Sequence, residues 1–193
     1  MPIAGAPETT QVRYVIDPKV STFVVRAFAT GLLSSFGHNP TIAIPDFEGE
    51  VRFTSDALEE ASVRLVIRAA SLAVTDDISA KDREEIERRM HDEVLETGGF
   101  EEIVYECNRV TPIQKLSENL YAVTLNGELS LHGVTRALPI AARVTMKGET
   151  LRAAGDFSVR QSDYEIHPVS AAGGTVKLKD ELKLAFDIVA RKS

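Results

Sequence analysis

Apolar residues recur at every second position through most of this chain. Val176, Leu178, Leu182, Leu184, Phe186 and Ile188 share one parity, while Lys177, Lys179, Glu181, Lys183 and Asp187 share the other. Successive side chains of a strand point to opposite faces, so this period predicts a strand with one buried and one wet face. Asp180 interrupts the apolar set and predicts a bend. The same rule puts Phe23, Val25 and Ala27 on an inner face, followed by Phe47, Gly49, Val51 and Phe53, then Val63, Leu65 and Ile67. It continues with Ile103, Tyr105 and Cys107, with Val123, Leu125, Leu129 and Leu131, and with Leu138, Ile140, Ala142, Val144 and Met146. Phe157 and Val159 complete a set of about eight predicted strands.

One segment changes rhythm. SAKDREEIERRMHDEVLE is rich in helix formers, and Ile86, Met90 and Val94 fall on one stripe, which predicts an amphipathic helix over 81–97. Ser79 or Asp82 is its expected cap, and Gly98 with Gly99 its expected end. The chain therefore reads as a mainly β protein, a curled antiparallel sheet of about eight strands with one inserted helix.

An eight-stranded barrel is either just filled by its side chains or holds one small ligand. The small inward residues Ala27, Gly49, Gly127, Ala142 and Gly155 favour free volume at the axis, and the apolar inner face favours a greasy guest. The candidate binding residues are Phe23, Val25, Ala27, Phe47, Val51, Phe53, Leu65, Ile67, Ile103, Tyr105, Leu125, Leu129, Ile140, Ala142, Val144, Phe157, Leu184 and Phe186. Tyr105 and Tyr164 are singled out for orienting a head group, since each joins a large apolar face to one hydroxyl. Core packing, with the hydroxyl satisfied by backbone, is the alternative for both.

Composition narrows the partners. The 193 residues are 44% hydrophobic, 26% charged and carry a net charge of −7, which argues against nucleic acid or an anionic lipid surface as the main partner. No apolar run approaches the roughly 18 residues of a membrane span, so no stable membrane insertion is expected. Lys177, Lys179 and Lys183 are expected on a solvated sheet face. Residues 1–13 read as a frayed leader without the basic and apolar parts of an export signal, and residues 14–193 as one domain. With Cys107 the single cysteine, a reducing, cytoplasmic setting is expected.

Chemistry-bearing residues are sparse. His38 lies in the GHNP turn, His91 is expected to be solvated on the helix, His132 precedes Gly133 in a tight connection, and His167 precedes Pro168. They form no paired metal motif, and no metal or cofactor is expected. Cys107 shares the buried parity, and Asp76 with Asp77 suggests a local Asx turn. An acid–base trio of His38, Asp163 and Tyr164 keeps an enzyme on a hydrophobic substrate open as an alternative, and a filled barrel with a protein partner is another.

LSLHGVTRALPI (129–140) resembles the strand–loop–strand signature of the YceI family, as do YVIDPKVSTFVVRAF (14–28), FEGEVRF and VKLKDELKLAFDIVA with its matching strands. The resemblance spans Tyr14 to Ala190. Glu101 and Cys107 stand where that family usually has Pro and Ser, Gln161 and Glu165 where it has Arg and Gly, and FGHNP (36–40) is similar to a variant branch. The resemblance implies a lipocalin-like β-barrel whose apolar tunnel holds an isoprenoid chain, such as a polyprenyl lipid or an isoprenoid quinone, bound without catalysis. It also implies a possible homodimer. Many members of the family are exported, whereas this chain reads as a branch without a signal peptide.

Overall fold

The alternating runs become strands that pair largely in chain order. In the computed structural model, which describes residues 11–30, 39–54, 57–168, 170–171 and 176–193, the elements begin with β1 (Gln11–Ile16), β2 (Thr22–Arg26), β3 (Ala29–Thr30), β4 (Thr41–Ala43) and β5 (Phe47–Thr54). They continue with β6 (Ala57–Arg68), β7 (Ala73–Val74), helix α1 (Ala80–Arg89), β8 (Glu102–Lys115) and β9 (Leu120–Leu131). The last are β10 (Val134–Lys147), β11 (Thr150–Arg160), β12 (Ser170–Ala171), β13 (Val176–Leu178) and β14 (Glu181–Lys192). Eight of them close in the order β1-β5-β6-β8-β9-β10-β11-β14, with β14 returning to β1.

Closure rests on β14 serving two strands along one edge. Its C-terminal part places Ala190 opposite Ile16 of β1, while Lys183 to Asp187 lie opposite Arg26 to Thr22 of β2. Between them Pro18–Val20 makes a 3-10 turn, with the Asp17 carboxylate accepting the Lys19 N–H at 3.2 Å. Ser21 Oγ donates to the Asp17 carbonyl at 2.7 Å and accepts the Val189 N–H at 2.9 Å. The sheet forks here: β1 joins β5, whereas β4 and β7 extend the β2 branch. Strand β1 begins at Gln11, inside the segment expected to be a leader, because Gln11, Val12 and Arg13 pair with Thr54, Phe53 and Arg52.

The expected C-terminal strand is divided at Asp180. Its carboxylate accepts the Ser162 N–H at 2.7 Å and the Ser162 hydroxyl at 2.6 Å, which turns the chain. Consequently β13 leaves the barrel and joins β12 and β3 in a separate three-stranded sheet.

Helix α1 starts at the expected cap, with Ser79 Oγ accepting the Asp82 N–H at 3.1 Å. After Arg89 it widens into a π turn over Met90–Val94, in which the Leu95 N–H donates to the Met90 carbonyl at 2.9 Å. The left-handed residue at its end is Glu96, with φ 44°, rather than either expected glycine. Its carboxylate lies 2.7 Å from Nε2 of His132, whose ring also packs on Phe100 at 4.3 Å. His132 and Gly133 both take positive φ, 51° and 76°, the geometry of a two-residue type I′ hairpin between β9 and β10.

Two clusters of buried residues share Leu65, Ile103, Val144, Phe157, Leu184 and Phe186 on the inner face. The inward glycines do not supply the free volume. A Cβ at Gly49, Gly127 or Gly155 would lie 2.8 Å from Ile16, 2.5 Å from the Tyr105 ring or 2.9 Å from Phe186, so each glycine is covered by a larger neighbour. Gly127→Ala is expected to destabilise the fold by about 1–3 kcal/mol through overpacking. Urea unfolding measures this, and unchanged stability would mean that Tyr105 does not cross over Gly127.

Candidate functional site

The barrel encloses a cavity of about 570 Å³. Its wall runs from Ile16, Leu151 and Ala190, beside the β1–β14 closure, to Ala27, Pro40 and Leu178 on the open side of the fork. Every barrel strand contributes, because each presents its apolar parity inward. Of the residues expected to hold a ligand, all but Phe47, Phe53 and Tyr164 line this cavity.

The three exceptions pack elsewhere, Phe47 and Tyr164 buried and Phe53 partly buried. Phe47 begins β5 and belongs to the core cluster of Phe23, Ile44, Ile67 and Leu72. Phe53 stacks on Tyr14 with ring centroids 5.9 Å apart. Tyr164 ends the 3-10 turn that follows β11, packs with Val159 and Ile166, and has its hydroxyl pKa raised by burial. Tyr105 does line the cavity, but its hydroxyl donates to the carbonyls of Leu125 and Leu138, both at 3.1 Å, and burial pushes its pKa up. Its ring is wall and its hydroxyl is committed to backbone, which removes it as a head-group donor.

Sequence reasoning missed a second part of the wall. Ile42, Ile44, Leu72, Leu151 and Ala153 line the cavity, as do Glu85, Arg89, Met90 and Leu95 from the helical segment. Ile42 and Ile44 do carry a two-residue period, and Met90 lay on the expected stripe. Helix α1 and its π turn thus form one side of the cavity, with Ile86, Met90 and Val94 facing in. Side chains tie the segment to the edge of the β2 branch. The Glu87 carboxylate accepts the Val74 N–H at 2.8 Å, Arg83 donates to the Asp76 carbonyl at 2.8 Å, and His91 Nε2 sits 3.0 Å from the Leu72 carbonyl. Asp76 in turn accepts the Thr41 N–H at 2.6 Å, so its carboxylate bridges to β4 instead of closing its own loop. These bonds satisfy edge groups that would otherwise be left to solvent.

Among the described residues, the polar side chains of the wall other than Tyr105 are Glu85, Arg89, Gln161 and Lys177. Buried Gln161 donates from Nε2 to the Lys179 carbonyl at 3.0 Å. Glu85 accepts from Arg88 at 3.1 and 3.2 Å and from Arg89 at 2.7 Å. Those two guanidinium groups hold its carboxyl at about 2, well below the usual carboxylate range.

Of the remaining candidates, those among the described residues do not line the cavity. His38 lies outside the described residues. His91 is half-buried, not solvated, because its ring bonds Leu72, and its Nδ1 has no hydrogen-bond partner among the described residues. His167 and Asp163 are exposed. Cys107 is buried, and its thiol donates to the Arg109 carbonyl at 3.1 Å. Among the described residues no group of three or more His, Cys, Asp or Glu side chains is placed to hold a metal, and no helix is long and apolar enough to cross a membrane.

The model of the YceI-like domain matches residues 14–190. The chain belongs to the YceI-like family. It is 25% identical over 151 residues to a UPF0312 protein from Pseudomonas fluorescens, covering 76% of this chain and 69% of the relative. In fold it is similar to BcnA of Burkholderia cenocepacia, with a TM-score of 0.66 and 16% identity over 90% of this chain and 98% of that one. It is also similar to a polyisoprenoid binding domain from Saccharophagus degradans, with a TM-score of 0.64 and 14% identity over 93% and 98% of the two chains. These likenesses agree with the closed antiparallel barrel described above.

The Glu85 cluster has a pH consequence. A carboxyl depressed from 4.5 to about 2 by Arg88 and Arg89 of the same helix favours the folded helix fully above pH 4.5 and loses that contribution as pH falls toward 2. Amide protection over 80–94 is expected to decline through that window, and to decline less in Glu85→Gln. Identical profiles for the two proteins would show that the cluster does not hold the helix.

Proposed function

We propose that this protein binds or carries a long apolar molecule, such as a polyisoprenoid lipid or the tail of an isoprenoid quinone, inside the barrel and leaves it chemically unchanged. The carrying observation is the cavity of about 570 Å³ with an almost wholly apolar wall. Its volume falls within the range of sites that enclose small organic ligands, roughly 300–1,000 Å³. The Saccharophagus degradans neighbour, described as a polyisoprenoid binding domain, adds support by analogy of fold.

The energetics favour a chain of several units. At roughly 0.8 kcal/mol per buried CH₂, two isoprene units supply on the order of 8 kcal/mol gross, against association costs of about 4–15 kcal/mol. Such a wall selects length and shape, since each added methylene changes affinity modestly. The enzyme alternative has less support, because exposed Asp163 and buried Tyr164 do not meet in the cavity wall. A cytoplasmic setting is part of this reading, supported by the single cysteine, which can form no disulfide within the chain.

Ala142 is the position at which to test it, since it is 5% exposed and lines the cavity from the middle of β10. Ala142→Phe is expected to weaken binding of a fluorescent polyene chain by at least about tenfold, with a stability cost of about 1–3 kcal/mol. Full binding by the folded variant would place the ligand outside the barrel.

A further inference from the structure

The end of the cavity beside the β1–β14 closure is a floor of side chains. On β1 the inward residue Ile16 lines the cavity and Tyr14 does not, and on β5 the change falls between Val51 and Phe53. It falls between Val63 and Ala61 on β6, and between Val144 and Met146 on β10. The members of each pair stand two residues apart on one face, about 6.6 Å along the strand, so a single inward layer forms the floor. That layer is closely packed, with Tyr14, Ala61 and Cys107 all buried. Two aromatic side chains dominate it: the rings of Tyr14 and Phe53 stack with centroids 5.9 Å apart and planes 8° from parallel. Phe53 packs against both core clusters and so joins the two sides of the layer.

From this we infer that Tyr14 and Phe53 are a length stop: the carried chain ends with its terminal methyl group against the stacked pair, and the pair sets how long a chain is accommodated. The inference rests on the carrier reading above and adds to it the residues that select chain length. Above the floor, each added methylene exchanges water for apolar wall and gains affinity. At the floor it meets close-packed rings, and a further carbon would have to force them out of place. The surplus carbons of a longer chain therefore stay outside, on the open side of the fork, where they bury no surface. Gain per carbon has a ceiling, and the position of the floor fixes it.

The test measures affinity along the straight-chain alcohols from decanol to tetracosanol, by displacement of a fluorescent chain. Affinity for the native protein is expected to rise about fourfold per methylene and then to level off at a limiting length. Phe53→Ala deepens the cavity and is expected to raise that length by about two to four carbons, whereas Val63→Phe fills the layer just above the floor and lowers it by a similar amount. Leu182→Ala widens the cavity at the opposite end of β14 from Ala190 and is expected to leave the limiting length unchanged. Circular dichroism confirms that each variant is folded, and should Phe53→Ala not fold, Val63→Phe carries the test alone. A limiting length that neither floor substitution moves, or that Leu182→Ala moves as far, overturns the inference while leaving the carrier reading intact. So does an affinity that climbs to the longest alcohol without levelling. Failure of every alcohol to bind overturns both.

Discussion

The pairing of Ile16 with Ala190 closes the barrel, and the turn immediately after Ile16 determines what that closure leaves open. An uninterrupted strand through residues 11–26 would run along β14 from end to end. Instead Asp17 and Ser21 hold a single 3-10 turn, and the chain resumes on a diverging branch. The fork creates an edge that needs covering. Strands β4 and β7 and then helix α1 supply the cover, fastened by the bonds of Glu87 to Val74 and of His91 to Leu72.

The hollow interior follows from how the inward side chains pack. They lie along the wall instead of reaching the axis: Tyr105 crosses Gly127 and directs its hydroxyl to the carbonyls of Leu125 and Leu138, and Phe186 covers Gly155. Each pairing of a large residue with a glycine thickens the wall locally and keeps the ring off the axis. The buried polar groups of the barrel wall are thereby spent on backbone, which leaves an apolar surface that neither orders water nor supplies acid and base groups. Among the described residues, the ionic groups of the wall, Glu85, Arg89 and Lys177, come from α1 and β13. A container with a charged border is the consequence.

Much of this was readable from the chain because parity alone assigns a face to each strand residue. That is why most of the expected wall residues, from Phe23 to Phe186, do line the cavity. Parity does not give height along the barrel axis, so Phe47 and Phe53 were placed in the cavity when they pack in the core beside it. Parity alone did not mark strand β1, because Val15, apolar yet 37% exposed, spoils the alternation of Val12, Tyr14 and Ile16. The charged border was illegible for another reason. Glu85 and Arg89 look like solvated helix surface until the fold sets α1 against the cavity. The free-volume argument from small residues reached a correct cavity through a partly wrong cause, since three of those residues are glycines that accommodate a neighbouring side chain.

The central claim is that the barrel is a container, and its occupant is the most direct evidence. The protein, purified without detergent from a host rich in isoprenoid lipids, would be weighed by mass spectrometry under native and denaturing conditions, and its organic extract identified. A stoichiometric long-chain apolar molecule present in the native mass and released on unfolding is the predicted result. A folded protein whose native mass equals that of the bare chain, and which takes up no such molecule when it is supplied, would contradict the account.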